Sequence, residues 1–270
     1  MFQSVYDYPY LSSSANHIFD LTLGLSSTSA FLNPDDVSAT KKQRIYQQMA
    51  QVLVGHDAVG NILKFDEDGN ILEGGDKYDE VFVLSAARLL NKDEVKKGSV
   101  HLHLDVTRLS GSEDERVVMY ISDEGSANDY RVNSPAGDYG ILKCREIHRF
   151  ETNDEGELDL QTPVESKSFE DMPEIDDRCG LIYYQAGVVV LSANAFRMFD
   201  EDTSIMGKIP SMTDSSTVFE QEPVMLVEDP DSSTPVYHNI DWILSQEDIP
   251  TSCTALRSRI DRLASTILQS

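Results

Sequence analysis

His101 and His103 come nearest to residues whose type and spacing could do chemistry. They lie in VHLHLDV, where Val100, Leu102, Leu104 and Val106 alternate with His101, His103 and Asp105. A period of two predicts a half-buried strand carrying both imidazoles on one face. Two imidazoles so placed can share zinc or copper, and on them rests a reading as a metal-dependent hydrolase. A structural zinc site takes four ligands, however, and no neighbouring Cys or third His completes the set. Solvent-facing histidines on an amphipathic strand are the plainer expectation. Cys144 stands between Lys143 and Arg145, charges that would favour a thiolate. With no catalytic partner beside it, a packing or surface cysteine is expected. Asp66, Asp68 and Gly69 match positions three, five and six of a calcium loop. Position one would then be Lys64 and position twelve Gly75, neither a calcium ligand, so a hairpin turn is expected instead.

No nucleophile elbow, phosphate-binding loop, dinucleotide fingerprint or zincin helix occurs in the sequence. Carboxylates are so abundant that no pair stands out. The expectation is a chain without catalytic residues, cofactor, metal or small-molecule substrate. Lys and Arg number 22 against 47 Asp and Glu, a formal net charge of −25. That field repels polyphosphate and argues against a nucleic-acid partner. Cys144, Cys179 and Cys253 are odd in number and far apart, which supports neither a zinc ribbon nor a disulfide framework. The first residues, MFQSVYDYPYLSSS, lack the basic and apolar regions of a secretory signal, and no apolar run suits a spanning helix. A cytoplasmically assembled protein with no membrane partner is expected.

The elements that must position these residues are mostly strands. Asn33-Pro34-Asp35-Asp36 makes a turn, and Ser38 or Thr40 can cap a helix whose core stripe is Ile45, Met49, Val52 and Leu53, ended by Gly55. Asp66-Glu67-Asp68-Gly69 then predicts a hairpin joining Asn61–Leu63 to Asn70–Leu72. Strands are expected at Val81–Leu84, Val100–Val106, Arg116–Ile121, Tyr130–Val132 and Tyr139–Phe150. Leu181–Leu191 is the most hydrophobic run and reads as one central strand. Residues 151–178 hold eleven acids and read as an exposed acidic excursion. Proline-broken residues 205–250 allow only short or edge strands, with Trp242, Ile243 and Leu244 as an anchor. The fold class is α+β, mainly β: an antiparallel sheet or sandwich with an N-terminal-region helix and a C-terminal amphipathic helix.

Two stretches look made for contact. Tyr6, Tyr8 and Tyr10 alternate along an extended segment, either an arm lying on another surface or a first edge strand on its own domain. In TSCTALRSRIDRLASTILQS, Leu256, Ile260, Leu263 and Ile267 recur at spacings of four, three and four. They form one apolar stripe of a helix whose other face carries Arg257, Arg259 and Arg262 against Asp261. The expected organisation is an N-terminal arm and turn over 1–40, a β-rich body over 41–250 and an assembly helix over 251–270, with homo-oligomerisation through Tyr6, Tyr8, Tyr10, Leu256, Ile260, Leu263 and Ile267.

Five segments carry a resemblance: ANHIFDLTLGLS (15–26), KKQRIYQQMAQVLVGHDAVGNILKFDEDG (41–69), EVFVLSAARLLNKDEVKKGS (80–99), YRVNSPAGDYGIL (130–142) and CGLIYYQAGVVVLSANAF (179–196). Together they resemble a virion structural protein family of T4-like contractile-tailed phages, of the marine cyanophage type. TSCTALRSRIDRL is similar to the helix with which that family begins a further β-rich portion, absent from this sequence. The resemblance implies a virion component assembled in the host cytoplasm, with other phage virion proteins as partners. It supplies no catalytic residues. A tail, baseplate, neck or fibre-attachment protein is the leading expectation and a head-surface decoration protein the alternative.

Overall fold

The computed structural model describes residues 3–7, 16–33, 35–72, 74–86, 94–105, 115–151, 163–171, 177–197, 227–228, 237–238 and 244. Among the described residues nine strands form one antiparallel sheet. They are β1 (Gln3–Asp7), β2 (Asn16–Leu25), β3 (Glu80–Ser85), β4 (His101–Asp105), β5 (Glu115–Ser122), β6 (Tyr139–Glu151), β7 (Glu165–Ser168), β8 (Arg178–Tyr183) and β9 (Val188–Ser192). The order is β1-β2-β3-β9-β8-β6-β5-β4, with β7 added beside the far half of β6. Strands β10 (Val227–Glu228) and β11 (Tyr237–His238), the described strands of the proline-rich region, pair separately.

Both faces of the sheet centre are buried, which explains its continuous apolar runs. On β3, Phe82 and Leu84 face one core, and Val81 and Val83 the other. The first core gathers Leu21, Leu23 and Leu25 of β2 with Leu102 and Leu104 of β4, strands far apart in the order. For them to share a cluster, the sheet must curl round its own face. The second core lies under the one α-helix of the described residues, α1 (Val37–Leu53), and the loop that follows it.

Helix α1 ends before Gly55 as expected, but two details differ from the sequence reading. Its cap is Asp36, whose carboxylate accepts from the Ser38 N–H at 2.8 Å, so Ser38 is already inside the first turn. Its buried stripe runs Ala39, Lys42, Ile45, Tyr46, Ala50 and Leu53, while Val52 is exposed. The stripe follows 3.6 residues per turn through a small alanine and a tyrosine that a count of branched side chains passes over. Lys42 is only 2% exposed, and its ammonium donates to the Leu244 carbonyl at 2.7 Å. Leu244 is fully buried in the first core. Of the expected anchor Trp242, Ile243 and Leu244, Leu244 is held in this way, and the other two lie outside the described residues.

Leu181–Leu191 is not one strand. It is the hairpin β8–β9, turning through Tyr184–Gly187 with Gly187 at φ +61°. The turn is hidden in sequence because both its arms are buried on both faces. The acidic excursion 151–178 is likewise not all loop, since Glu165–Ser168 adds to the sheet as β7 and Asp177 pairs with Lys143 at 2.9 Å. Tyr130–Val132 contributes only a single bridge, Arg131 to Tyr139. Segments 3–7 and 16–25, within the expected arm, are strands of the main sheet, and the C-terminal helix over 251–270 lies outside the described residues.

Candidate interaction surface

The loop after α1 folds as two copies of one seven-residue unit set nine positions apart, not as the expected hairpin. Asp57-Ala58-Val59-Gly60-Asn61-Ile62-Leu63 and Asp66-Glu67-Asp68-Gly69-Asn70-Ile71-Leu72 share the pattern DxxGNIL. In each, the leading aspartate bends the chain by accepting backbone N–H groups ahead of it. Asp57 Oδ1 accepts from Val59 at 2.9 Å and Asn61 at 2.8 Å. The Asn61 side-chain amide donates to Oδ2, the chief reason the Asp57 carboxyl lies below its ordinary pKa. Asp66 Oδ1 accepts from Asp68 at 3.1 Å, Gly69 at 2.8 Å and Asn70 at 3.2 Å, and its Oδ2 pairs with the Lys77 ammonium. Asp66 is 2% exposed, so a lysine fills the role of counter-ion that a metal would have in a calcium loop. The ladder partner of Asp66 is Lys77, and that of Ile62 is His56, which is why Asn61–Leu63 and Asn70–Leu72 do not pair.

The second unit is clasped by the segment Arg131–Tyr139. Arg131 Nε donates to the Asp68 carbonyl at 3.3 Å and Asn133 Nδ2 to the Gly69 carbonyl at 2.9 Å. The Tyr139 hydroxyl lies 3.1 Å from that same carbonyl and 2.9 Å from Asn133 Oδ1. Burial pushes the Tyr139 pKa up to about 12. Ser134 Oγ donates to the Leu53 carbonyl at 2.5 Å, tying the same segment to the end of α1. Beneath, Tyr139 stacks on Tyr183 at 5.1 Å, and Phe65 meets Tyr183 and Tyr46 edge-on. The segments DEDG, NSPAG and LIYYQAG therefore meet at this clasp.

Beside this clasp runs a groove of about 400 Å³ lined by Gln51, Val54, Gly55, His56, Leu63, Ile71, Leu72, Asn133 and Pro135. Leu72 is 79% exposed, and so are Val52 (64%), Val59 (82%) and Val132 (71%), neighbours in sequence of lining residues or of their turn. Of these, Leu72 lines the groove, whose wall mixes apolar Val54, Leu63, Ile71 and Pro135 with polar Gln51, His56 and Asn133. The sequence held a signal for this site in the DxxGNIL repeat, of which only the Asn-Ile-Leu part stands out without the backbone.

The histidines fall elsewhere. His101 and His103 lie on β4, exposed and half-buried respectively. His103 faces Tyr120 of β5 at a ring distance of 4.4 Å, and Tyr120 faces His148 of β6 at 4.5 Å. A tyrosine ring thus separates the two imidazoles, and His148 turns to Glu146 at 2.8 Å. Among the described residues no three His, Cys, Asp or Glu side chains are grouped to hold a metal ion. His148 was invisible to sequence spacing because antiparallel pairing brings it in. Cys144 is fully buried, and burial pushes its thiol pKa well up, so flanking Lys143 and Arg145 do not activate it.

Of the contact residues expected from sequence, Tyr6 lies on edge strand β1 opposite His17. Tyr8, Tyr10, Leu256, Ile260, Leu263 and Ile267 lie outside the described residues. No helix among the described residues is long and apolar enough to cross a membrane. Compared with protein-family models, curated proteins and solved structures, the chain matches none.

Proposed function

We propose that this protein is a structural component of a tailed bacteriophage particle, in the tail, baseplate, neck or fibre-attachment region, working through contacts with its own copies and with other virion proteins. The observation that carries the reading is the clasp: segments that resemble the virion family bond tightly to one another there, next to a groove whose wall includes the exposed side chain of Leu72. Such a surface serves assembly, since each Leu or Val buried against a neighbour contributes about 1.5–3 kcal/mol. Repetition of modest contacts round a symmetric ring then holds a particle together. Tyr6, Tyr8 and Tyr10 and the stripe Leu256, Ile260, Leu263 and Ile267 are the other contact elements in this reading. The double variant Leu256→Asp, Leu263→Asp is expected to lose oligomerisation in sedimentation while keeping the far-UV spectrum of the parent. An unchanged assembly state would count against the proposal, and labelled antibody on intact particles distinguishes a tail from a head-surface position.

A further inference from the structure

We infer that the groove at the C-terminal end of α1 is the receptor for residues 251–270 of a neighbouring copy of this chain, a conclusion that rests on the assembly reading above. Two observations point to that occupant. The groove has room for two or three branched side chains, and Leu256 and Ile260, one helical turn apart, present such a pair. It opens beside the last turn of α1, which holds no basic residue, so the negative pole of the helix dipole has no cation of its own there. Segment 251–270 supplies the missing charge, with Arg257, Arg259 and Arg262 against a single Asp261.

On the assembly reading the occupant comes from another copy, and the net charge favours this segment for that role. Bodies this acidic repel one another, and contact between them needs an element that carries both apolar surface and positive charge. A tail of one copy in the groove of the next is a head-to-tail contact, which propagates into rings or filaments.

The test places a photo-crosslinking amino acid at Leu72 of the full chain, an exposed position where replacement does not disturb the core. Light and heavy-isotope copies are mixed before irradiation. Crosslinks from position 72 to peptides of 251–270 that join light to heavy chains are the expected result, together with at least a tenfold weaker association of Leu72→Glu. Crosslinks confined to single chains, or none to 251–270, would overturn the inference. Sedimentation of the unaltered chain separates the two failures. An oligomer without these crosslinks refutes only the groove assignment, whereas a monomer at all concentrations refutes the assembly reading with it.

Discussion

Replacing Asp66 by alanine probes the clasp at its centre. The carboxylate is buried, and its loss leaves the Gly69 N–H, a buried donor, without an acceptor. An orphaned donor of that kind costs about 1–3 kcal/mol. The Asp68 N–H loses its bond too, while Asn70 keeps a second acceptor in Asp68 Oδ1 at 3.0 Å. Lys77 loses its partner, but at 21% exposure its ammonium can turn to water, adding about 1 kcal/mol at most. The expected destabilisation is about 3 kcal/mol, a fall in Tm on the order of 10 °C for a chain of this size. Asp57→Ala removes the matching carboxylate from the first unit, where solvent can replace it, and is expected to cost clearly less. Asp66→Asn, which keeps an acceptor but not the ion pair, should fall between. Urea unfolding followed by far-UV circular dichroism, with the slope on denaturant unchanged, measures all three. If Asp66→Ala is no worse than Asp57→Ala, the account of the clasp is wrong.

Gly69→Ala should destabilise more than Gly60→Ala in the same assay. Both glycines have positive φ, at +81° and +92°, but a Cβ at Gly69 would meet the Arg131 side chain at 2.8 Å and one at Gly60 would meet nothing; the shared backbone cost is about 1 kcal/mol. Cys144 should resist a thiol reagent until the chain unfolds, a rate read by trapping in rising urea. Burial raises the Asp79 pKa, yet Lys64 and the Ser26 and Thr28 hydroxyls outweigh it and leave the carboxyl below its ordinary value. A depressed folded pKa means stability that is complete above the unfolded value, near 4, and lost as pH falls through the folded one. Asp79→Asn should therefore be less stable than the parent at pH 7, with the gap closing below about pH 4 in thermal melts.

Much of the sheet was legible because its strands carry their period openly. His101–Asp105 alternates, and Val81–Leu84 is a short apolar run between turns. What stayed hidden depends on partners that are distant in the chain. The run Leu181–Leu191 conceals a hairpin because neither arm has a solvent face to break the pattern. Tyr46 and Ala50 enter the helix stripe because Phe65 and the second core wait for them across a loop. For the site, Asp66 and Gly69 announced a turn, but nothing local told that Lys77, Asn133 and Tyr139 would close on it. His148 joined the row of rings through strand pairing alone.

The bond from the Lys42 ammonium to the Leu244 carbonyl reaches across 202 positions of sequence. A ribosome adding about 5–20 residues per second needs roughly 10–40 s to cover that interval. Helix α1 therefore emerges long before the carbonyl that receives its lysine, and β9, which lies between β3 and β8, also arrives late. Completion of the described body thus waits for Leu244, and a helix made early closes with a segment made some two hundred residues later. In the assembly proposed above, that order keeps a copy from presenting a finished body to its neighbours before Leu244 has been made.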